Sequence, residues 1–157
     1  MVVAFLQAFI INQVDLGFWL HPMPYLVVLL ILPINFNKFG YLFTAFIFGT
    51  LIDLLSGSFG MHAASCVAMV FFKYHIENRF IDFESLQLQG ESYLKIHSKG
   101  WPVFLYYTLT LIAIHHLVCF SLEFFSINYL LDILLSTVIS TVGTLLLILL
   151  YKNIFNH

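Results

Sequence analysis

Long apolar runs alternate with short polar connections along almost the whole sequence. Six runs can be distinguished, at residues 2–11, 18–34, 39–55, 59–75, 101–122 and 129–151. A straight helix needs about 20 apolar residues to cross the hydrocarbon layer of a membrane. The fifth and sixth runs satisfy this requirement, and the third and fourth lie near its lower limit. The pattern therefore predicts an all-α integral membrane protein, a bundle of transmembrane helices.

The first two runs fit the requirement less well. The run at 2–11 is followed by Asn12, Gln13 and Asp15, and at 1.5 Å per residue it covers only about half of the membrane. It is expected to be a short tilted span, a re-entrant piece or part of a longer helix. The second run has prolines at positions 22, 24 and 33, which are expected to mark the boundaries of its helix. The prediction is six crossings, or five plus a short first segment.

Composition also favours a membrane protein over a soluble one. Hydrophobic residues make up 61% of the 157 positions and charged residues 9%, against roughly 25% charged residues in soluble domains. A soluble fold of this length has too little interior to hide so much apolar surface. The length leaves room for a single membrane domain over residues 1–157. A net charge of −2 gives no electrostatic basis for binding nucleic acid.

The six Lys and Arg residues can all be placed on one side of the membrane. They follow the second run (Lys38), surround the connection between the fourth and fifth runs (Lys73, Arg79, Lys95, Lys99) and follow the sixth (Lys152). Because basic residues stay on the cytoplasmic side during insertion, this bias predicts a cytoplasmic C-terminus and a cytoplasmic loop at about 76–100. Glu77, Arg79 and the charges that follow them are interpreted as a mixed-charge cytoplasmic face, and the loop as a short amphipathic piece at the membrane surface.

A glycine–aspartate motif marks the third run. Gly49, Asp53 and Gly57 recur at intervals of four residues and therefore lie on one face of a helix. Small residues at this spacing let a neighbouring helix approach closely, so Asp53 is expected to face protein rather than lipid. Gly57 and Gly60 are expected to bracket a tight turn, where a positive φ is cheap only for glycine.

Several ionisable residues are predicted to lie at one level, in the outer half of the membrane. They are Asp53, His62, His115, His116, Glu123 and Asp132. A charge at mid-membrane costs about 2.5–3.5 kcal/mol, so each such group is expected to have a structural or functional role. We expect a hydrogen-bonded network, with Asp53 next to His62 or His115. Such a network staples the helices together, docks a partner, or serves transport or a proton relay, and stapling is the reading that the sequence favours.

Residues that could carry catalysis or hold a metal are not in recognisable settings. His115 and His116 are neighbours on a helix and point about 100° apart, which is a poor arrangement for binding one ion. Cys66 and Cys119 lie in different runs, far from any CxxC spacing, and are interpreted as small buried apolar residues. No nucleotide-binding or haem motif is present. The sequence therefore predicts a protein without enzymatic activity, metal or cofactor.

Two stretches combine glycine, aspartate and histidine in a recognisable order. The first is Gly49-x3-Asp53-x3-Gly57-x2-Gly60-Met61-His62-Ala63-Ala64, and the second is His115-His116-Leu117-Val118 followed by Glu123. Together with Leu6-Gln7 and Asn12, the run from Tyr25 to Pro33 and the six-segment layout, they resemble the MreD family of rod-shape-determining inner-membrane proteins. The resemblance covers nearly the whole chain, and the glycine–aspartate motif followed by Gly-Met-His is its most specific part.

The resemblance implies a fold and a role. MreD proteins are likened to the substrate-binding subunits of energy-coupling-factor transporters, which are six-helix bundles. The family implies a non-catalytic scaffold of the cell-elongation machinery in the bacterial inner membrane, which partners MreC and helps to position lateral peptidoglycan synthesis. Through MreC it implies an indirect association with MreB, RodA and the elongation transpeptidase. The likeness to transporter subunits supplies an alternative, a membrane subunit that binds a vitamin-like small molecule. The candidate structural or partner-docking residues are Gly49, Asp53, Gly57, Gly60, His62, His115, His116 and Glu123.

The topology can be tested by labelling single cysteines from outside the cell. Glu91→Cys, in the 76–100 loop, is expected to remain unlabelled by a membrane-impermeant thiol reagent because that loop is cytoplasmic. Glu123→Cys, on the opposite side, is the matched control and is expected to react. Labelling at position 91 in intact cells would overturn the orientation, and with it the role in wall growth.

Overall fold

The computed structural model of the chain describes residues 19–32, 37–80 and 100–155. Within these ranges all regular secondary structure is helical, with a 3₁₀ turn at Ile127–Tyr129 between the last two α-helices. The α-helices of these ranges are α1 (Leu26–Ile31), α2 (Lys38–Ser56), α3 (Met61–Phe80), α4 (Trp101–Phe124) and α5 (Leu130–Phe155). The prediction of an all-α protein is confirmed for the described residues.

Three of the described helical stretches are long and apolar enough to cross a membrane. They are α2, α4 and Ile127–Leu150, which contains the 3₁₀ turn and most of α5. At 1.5 Å per residue, the 19 residues of α2 extend about 28 Å and the 24 residues of α4 about 36 Å. These lengths match a hydrocarbon layer of roughly 30 Å. The helices indicate a membrane protein, while the total of six crossings stays a prediction.

Helix α3 coincides with the predicted fourth crossing but continues beyond it. The sequence predicts this helix at 59–75, whereas α3 runs to Phe80, so the first residues of the expected 76–100 loop are helical. Its second half contains Lys73, Glu77 and Arg79, and α3 is not among the helices that meet the standard of length and apolarity. Residues 81–99 and the first predicted segment, at 2–11, lie outside the described residues.

The prolines of the second run mark the boundaries of its helix as expected, but that helix is much shorter than the run at 18–34. Residues 19–25 are not helical, and α1 covers only Leu26–Ile31. Proline has no backbone N–H and disfavours helical geometry in the residue before it, so Pro22 and Pro24 keep His21 and Met23 out of a helix. The helix begins only after both prolines.

The long helices pack in the order of the sequence, α2 on α3, α3 on α4 and α4 on α5. Helix α1 lies among them, with Tyr25, Leu26 and Leu30 buried in one core cluster with Met69 of α3 and Leu111 of α4. Contacts between α3 and α4 show that the two helices run antiparallel. The α2–α3 turn (residues 57–60) and the α4–α5 connection (residues 125–129) therefore lie at one end of the bundle, which we call the turn end.

The outward surface of the long helices is apolar. Exposed side chains include Phe39, Phe43, Phe46, Ile47 and Leu54 of α2, and Leu131, Leu134, Val138, Val142 and Leu146 of α5. The hydroxyl residues of α5 instead face the interior: Ser136, Thr137, Ser140, Thr141 and Thr144 are all buried. Large exposed apolar surfaces mark contact with a membrane or a partner, so this distribution fits helices surrounded by lipid.

Gly49 marks a close approach of α2 to α3. A Cβ atom added to Gly49 would lie 2.5 Å from the Cα atom of Ala63 and 2.8 Å from its backbone nitrogen. These are backbone atoms, which cannot move aside without shifting α3. On the small-residue stripe of α2, Gly49 therefore packs against α3 of the same chain.

The close approach predicts a large effect of one methyl group. We expect Gly49→Ala to lower the free energy of unfolding by about 1–3 kcal/mol, because the added Cβ atom overlaps the backbone of α3. Gly143→Ala is the matched control: its Cβ atom would meet the flexible end of Leu20, at 2.9 Å from Cδ1, and is expected to change stability by less than about 1 kcal/mol. Denaturant unfolding in detergent micelles measures both. Equal stability of the two variants would contradict a tight α2–α3 contact.

Candidate functional site

Asp53 lies in the last turn of α2, with only 5% of its surface exposed. Its Oδ1 atom accepts hydrogen bonds from the hydroxyl of Ser58 at 2.6 Å and from the backbone N–H of His62 at 3.0 Å. Its Oδ2 atom accepts from the backbone N–H of Ala63 at 2.9 Å. Both oxygens of the buried carboxylate therefore have donors, which offsets the cost of removing the charge from water.

These contacts supply the N-terminal cap of α3. The first amides of a helix have no partner within it, and a side chain at the N-cap position usually accepts from the second or third of them. In α3 this position is held by Gly60, which has no side chain and whose carbonyl accepts from Ala64 N–H at 3.0 Å. Asp53 takes over the capping role from the neighbouring helix. Its negative charge also lies at the positive end of the α3 dipole.

The backbone of Asp53 ends α2 at the same time. Its carbonyl oxygen accepts from the N–H of Gly57 and, at 3.1 Å, from that of Ser58. Gly57 has a φ of +70° and Gly60 a φ of +81°, a conformation that residues with a Cβ atom seldom adopt. The two glycines form the turn as expected, and Asp53 fastens the end of one helix to the beginning of the next.

Tyr25 joins two histidines beside this turn. Its hydroxyl oxygen lies 2.9 Å from Nδ1 of His62 on α3 and 3.1 Å from Nε2 of His115 on α4. Tyr25 and His115 are fully buried, whereas His62 is partly exposed. A hydroxyl donates one hydrogen bond and accepts others, so this one tyrosine links α3 and α4 through their imidazole rings.

The proton positions in this trio follow from the second ring nitrogen of His115. This Nδ1 atom is buried and has no hydrogen-bond partner in the part of the chain that the structure describes. Orphaned buried N–H groups are rarer than orphaned acceptors, so we assign the proton to Nε2. His115 then donates to the oxygen of Tyr25.

His116 belongs to a separate chain of hydrogen bonds. Its Nδ1 atom lies 2.9 Å from the carbonyl oxygen of Ile112, and its Nε2 atom lies 3.4 Å from the hydroxyl of Thr144 on α5. Thr144 in turn accepts from the backbone N–H of Met23 at 2.9 Å. The adjacent residues His115 and His116 thus bond to different neighbours, as expected for side chains that point about 100° apart.

Hydroxyl groups of α5 hold the non-helical residues 19–25. Ser140 accepts from the backbone N–H of His21 at 2.9 Å and donates to the carbonyl of Trp19 at 3.0 Å. The indole N–H of Trp19 lies 3.4 Å from Oδ1 of Asp132, nearer the turn end. Backbone polar groups without partners are not tolerated in lipid, so these side chains replace the helical bonds that the prolines prevent.

A second group of buried polar residues lies towards the other end of the bundle. Lys73 of α3 is fully buried, and its ammonium donates to the carbonyl oxygens of Leu29 at 3.1 Å and Leu32 at 2.8 Å. These carbonyls belong to the C-terminal end of α1, where carbonyl groups lack partners within the helix. Lys73 therefore acts as the C-terminal cap of α1.

Glu77 and Tyr107 complete this second group. Oε1 of Glu77 lies 3.7 Å from the ammonium of Lys73, one turn earlier in α3, and accepts a hydrogen bond from the hydroxyl of Tyr107 on α4. The ammonium of Lys73 also lies 5.3 Å from the centre of the Tyr41 ring on α2. The second group therefore connects α1, α2, α3 and α4.

The structure brings together most of the predicted site residues. Asp53 contacts His62 as hypothesised, but through the backbone N–H rather than the imidazole ring. His115 joins the same neighbourhood through Tyr25. Glu123 is exposed near the end of α4 and lies outside the buried groups. Of the six ionisable residues predicted at the outer level, three are buried (Asp53, His115, His116), two are partly exposed (His62, Asp132) and Glu123 is exposed.

Sequence reasoning missed Tyr25, Lys73 and Glu77. The charge pattern places Lys73 beside a cytoplasmic connection and Glu77 on a mixed-charge cytoplasmic face, whereas both side chains are buried against other helices. A Lys and a Glu four residues apart on one helix face, next to a long apolar run, are a signal for an internal pair. Tyr25 has no comparable signal, since its two partners come from distant segments.

The hydrogen bonds of Asp53 fasten one helix to the next. Donors engage both oxygens of Asp53, and the hydroxyl of Ser58 donates to that carboxylate. In this conformation no three or more His, Cys, Asp or Glu side chains among the described residues converge so as to hold a metal ion. The contacts bind one helix end to another.

Removing the Asp53 carboxylate is expected to destabilise the bundle strongly. Asp53→Ala leaves two backbone amides and a hydroxyl without their acceptor, and we expect a loss of about 2–4 kcal/mol, as for several hydrogen bonds to a charged group. Asp132→Ala removes a partly exposed carboxylate with one long contact and serves as the control, with an expected change below about 1 kcal/mol. Denaturant unfolding followed by circular dichroism compares them. A loss as small as that of the control would mean that Asp53 does not cap α3.

Lys73 and Glu77 are expected to behave as a coupled pair. Lys73→Met keeps much of the side chain but leaves the Glu77 carboxylate buried without its positive neighbour, and we expect a loss of roughly 3–5 kcal/mol. Adding Glu77→Gln removes the unpaired charge, so the double variant is expected to recover part of that loss. The two single variants and the double variant give the coupling energy, and strictly additive losses would contradict the pairing.

No family model, no curated protein and no solved structure matches this chain. The likeness to the MreD family therefore rests on the motif residues quoted above. Any function must be argued from those residues together with the geometry of the two buried polar groups.

Proposed function

We propose that this chain is an MreD-like scaffold of the bacterial inner membrane, without enzymatic activity. It partners MreC and helps to position the machinery that builds lateral peptidoglycan. Through MreC it is indirectly associated with MreB, RodA and the elongation transpeptidase. In this proposal the chain crosses the membrane six times, the turn end faces outwards and the C-terminus lies in the cytoplasm.

The observation that supports this proposal is that the buried ionisable groups bond to other parts of the chain. Asp53, Lys73, Glu77, His115 and His116 are buried among the described residues, and each bonds to another segment of the chain. An active site or a transport site needs such groups available to a reactant or a ligand. A scaffold needs them to hold a fixed shape, because it acts by keeping its partners in place.

The outward faces of the helices support the same role. The exposed side chains of α2 and α5 include many large apolar ones, and the inward face of α5 carries buried hydroxyl groups. MreC, the partner that the resemblance implies, has a single membrane helix. Helices associate in lipid through close packing and polar contacts rather than through the hydrophobic effect, so a stiff surface of fixed shape suits such a partner.

The small-molecule-binding alternative has less support. It expects a cavity on the outer side lined by Asn12, Asp53, His62 and His115. Three of these residues are described, and they are bonded to the α3 backbone or to Tyr25. Asn12 lies outside the described residues. Tight binding of a vitamin-like compound by the purified chain would favour this alternative over the scaffold.

Affinity purification from membranes tests the proposal. The chain, tagged at its C-terminus and expressed in its own organism, is extracted in a mild detergent, and the co-eluting proteins are identified by mass spectrometry. We expect MreC among them, and not in the eluate of an unrelated tagged membrane protein. Absence of MreC from the eluate of the folded wild-type chain would contradict the proposal.

Two variants connect this assay to the buried carboxylate. Asp53→Ala is expected to retain several-fold less MreC than Asp132→Ala, because the first loosens the α2–α3 hairpin and the second leaves it intact. The amount of tagged protein in each eluate corrects for expression. Equal stability and equal recovery of MreC for the two variants would remove Asp53 from the docking argument.

A further inference from the structure

The turn end exposes three large apolar side chains on its two connections. Phe59 of the α2–α3 turn is 99% exposed, and Phe125 and Ile127 of the α4–α5 connection are 85% and 89% exposed. All three lie outside the α-helices, and neither connection contains a charged residue. An exposed apolar group of this size marks contact with a membrane or with a partner.

The backbone of Phe125 has a conformation that costs free energy. This residue follows the last residue of α4, and its φ of +41° lies in the left-handed region, where a residue with a Cβ atom is uncommon. Glycine is the usual residue at this position after a helix. Because the side chain of Phe125 is largely exposed, it gains little from packing within the described part of the chain. A contact of the ring outside the chain would offset the backbone cost.

The lengths of the helices place both connections at the boundary of the membrane. Helix α2 begins at the charged residue Lys38, and its 19 residues extend about 28 Å, against a hydrocarbon layer of roughly 30 Å. The 24 residues of α4 extend about 36 Å from Trp101, which is half exposed. Trp19 and Tyr129, also half exposed, lie at the turn end, and tryptophan and tyrosine are enriched where hydrocarbon meets water. The two connections therefore lie in this interfacial layer.

The apolar surface of the connections continues that of the neighbouring helix turns. Leu54 near the end of α2, and Leu130 and Leu131 at the start of α5, are exposed on the outward surface that fits contact with lipid. A stable protein–protein interface uses about 20–30 residues on each side. The two connections provide only four residues (57–60) and five residues (125–129). Lipid is therefore the contact that the surroundings of the three side chains favour.

We propose that Phe59, Phe125 and Ile127 insert into the lipid of the adjacent leaflet, at the boundary between acyl chains and headgroups. Both connections then lie within the membrane surface and do not project into water, while the exposed side chains of Glu123 and Asn128 face the headgroups. The inserted side chains fix the depth of the turn end, so a partner protein reaches this end from the side, within the lipid. The proposal requires a chain that spans a membrane and does not depend on the scaffold function.

Spin labels on single introduced cysteines test the insertion. The full chain is placed in vesicles of phosphatidylethanolamine and phosphatidylglycerol, and collisions of each label are measured with oxygen, which concentrates in lipid, and with a water-soluble nickel chelate. We expect Phe59→Cys, Phe125→Cys and Ile127→Cys to give an oxygen-to-nickel collision ratio several-fold above that of Asn128→Cys. Val138→Cys, on the outward face of α5, is the lipid control, and the wild type, whose two cysteines are buried, gives the background. Ratios no higher than that of Asn128→Cys overturn the proposal, as does nickel access that is lost only when a partner's soluble domain is added.

Two double variants show whether the apolar side chains hold the turn end in the lipid. Phe59→Ser with Phe125→Ser removes both rings, and Phe59→Leu with Phe125→Leu keeps apolar side chains at the same positions. For a label at Ile127→Cys, the serine pair is expected to lower the oxygen-to-nickel ratio several-fold and the leucine pair to leave it unchanged. Both pairs are expected to unfold at the same denaturant concentration in detergent, because the two rings are exposed. Equal ratios for the two pairs contradict the insertion. Should the serine pair misfold, the comparison of the single labels still decides.

Discussion

The carboxylate of Asp53 at the start of α3 is the contact on which the arrangement of the bundle depends. A charge inside a membrane costs about 2.5–3.5 kcal/mol, and the donors on Ser58, His62 and Ala63 offset this cost. The same bonds fix where α2 ends and α3 begins, and so they set the depth of His62 relative to α2. Gly49, one turn before Asp53, lets the two backbones approach closely enough for the carboxylate to reach the α3 amides.

The broken segment before α1 is possible because other helices satisfy its backbone. In lipid an unpaired amide or carbonyl group costs several kcal/mol, and non-helical backbone survives only where protein surrounds it. Ser140 and Thr144 supply the partners at the first end of this segment, and Lys73 supplies them at the end of α1. These side chains come from α5 and α3, so the segment connects helices that are not neighbours in the sequence. Polar bonds therefore replace the hydrophobic effect that assembles soluble proteins.

Hydropathy predicts those parts of the structure that depend on local properties of the chain. It places α2, α4 and α5, and the spacing of Gly49, Asp53 and Gly57 predicts that this face turns inwards. It does not predict the role of Tyr25, because the histidines that meet its hydroxyl lie on other helices and only the packing brings them there. Lys73 is missed for a different reason: a count of basic residues treats a buried lysine and a solvated one alike. Only tertiary contacts with α1 distinguish the two.

The two polar groups lie at different levels of the bundle. From His62 to Lys73 there are 11 residues along α3, which is about 16 Å. Within this distance the interior of α3 and α4 includes the buried side chains of Met69, Leu111 and Ile112. Each group therefore fixes the helix ends around it, and together they stiffen both ends of the bundle. A partner that packs on the outward face contacts a surface whose shape is fixed by these buried hydrogen bonds.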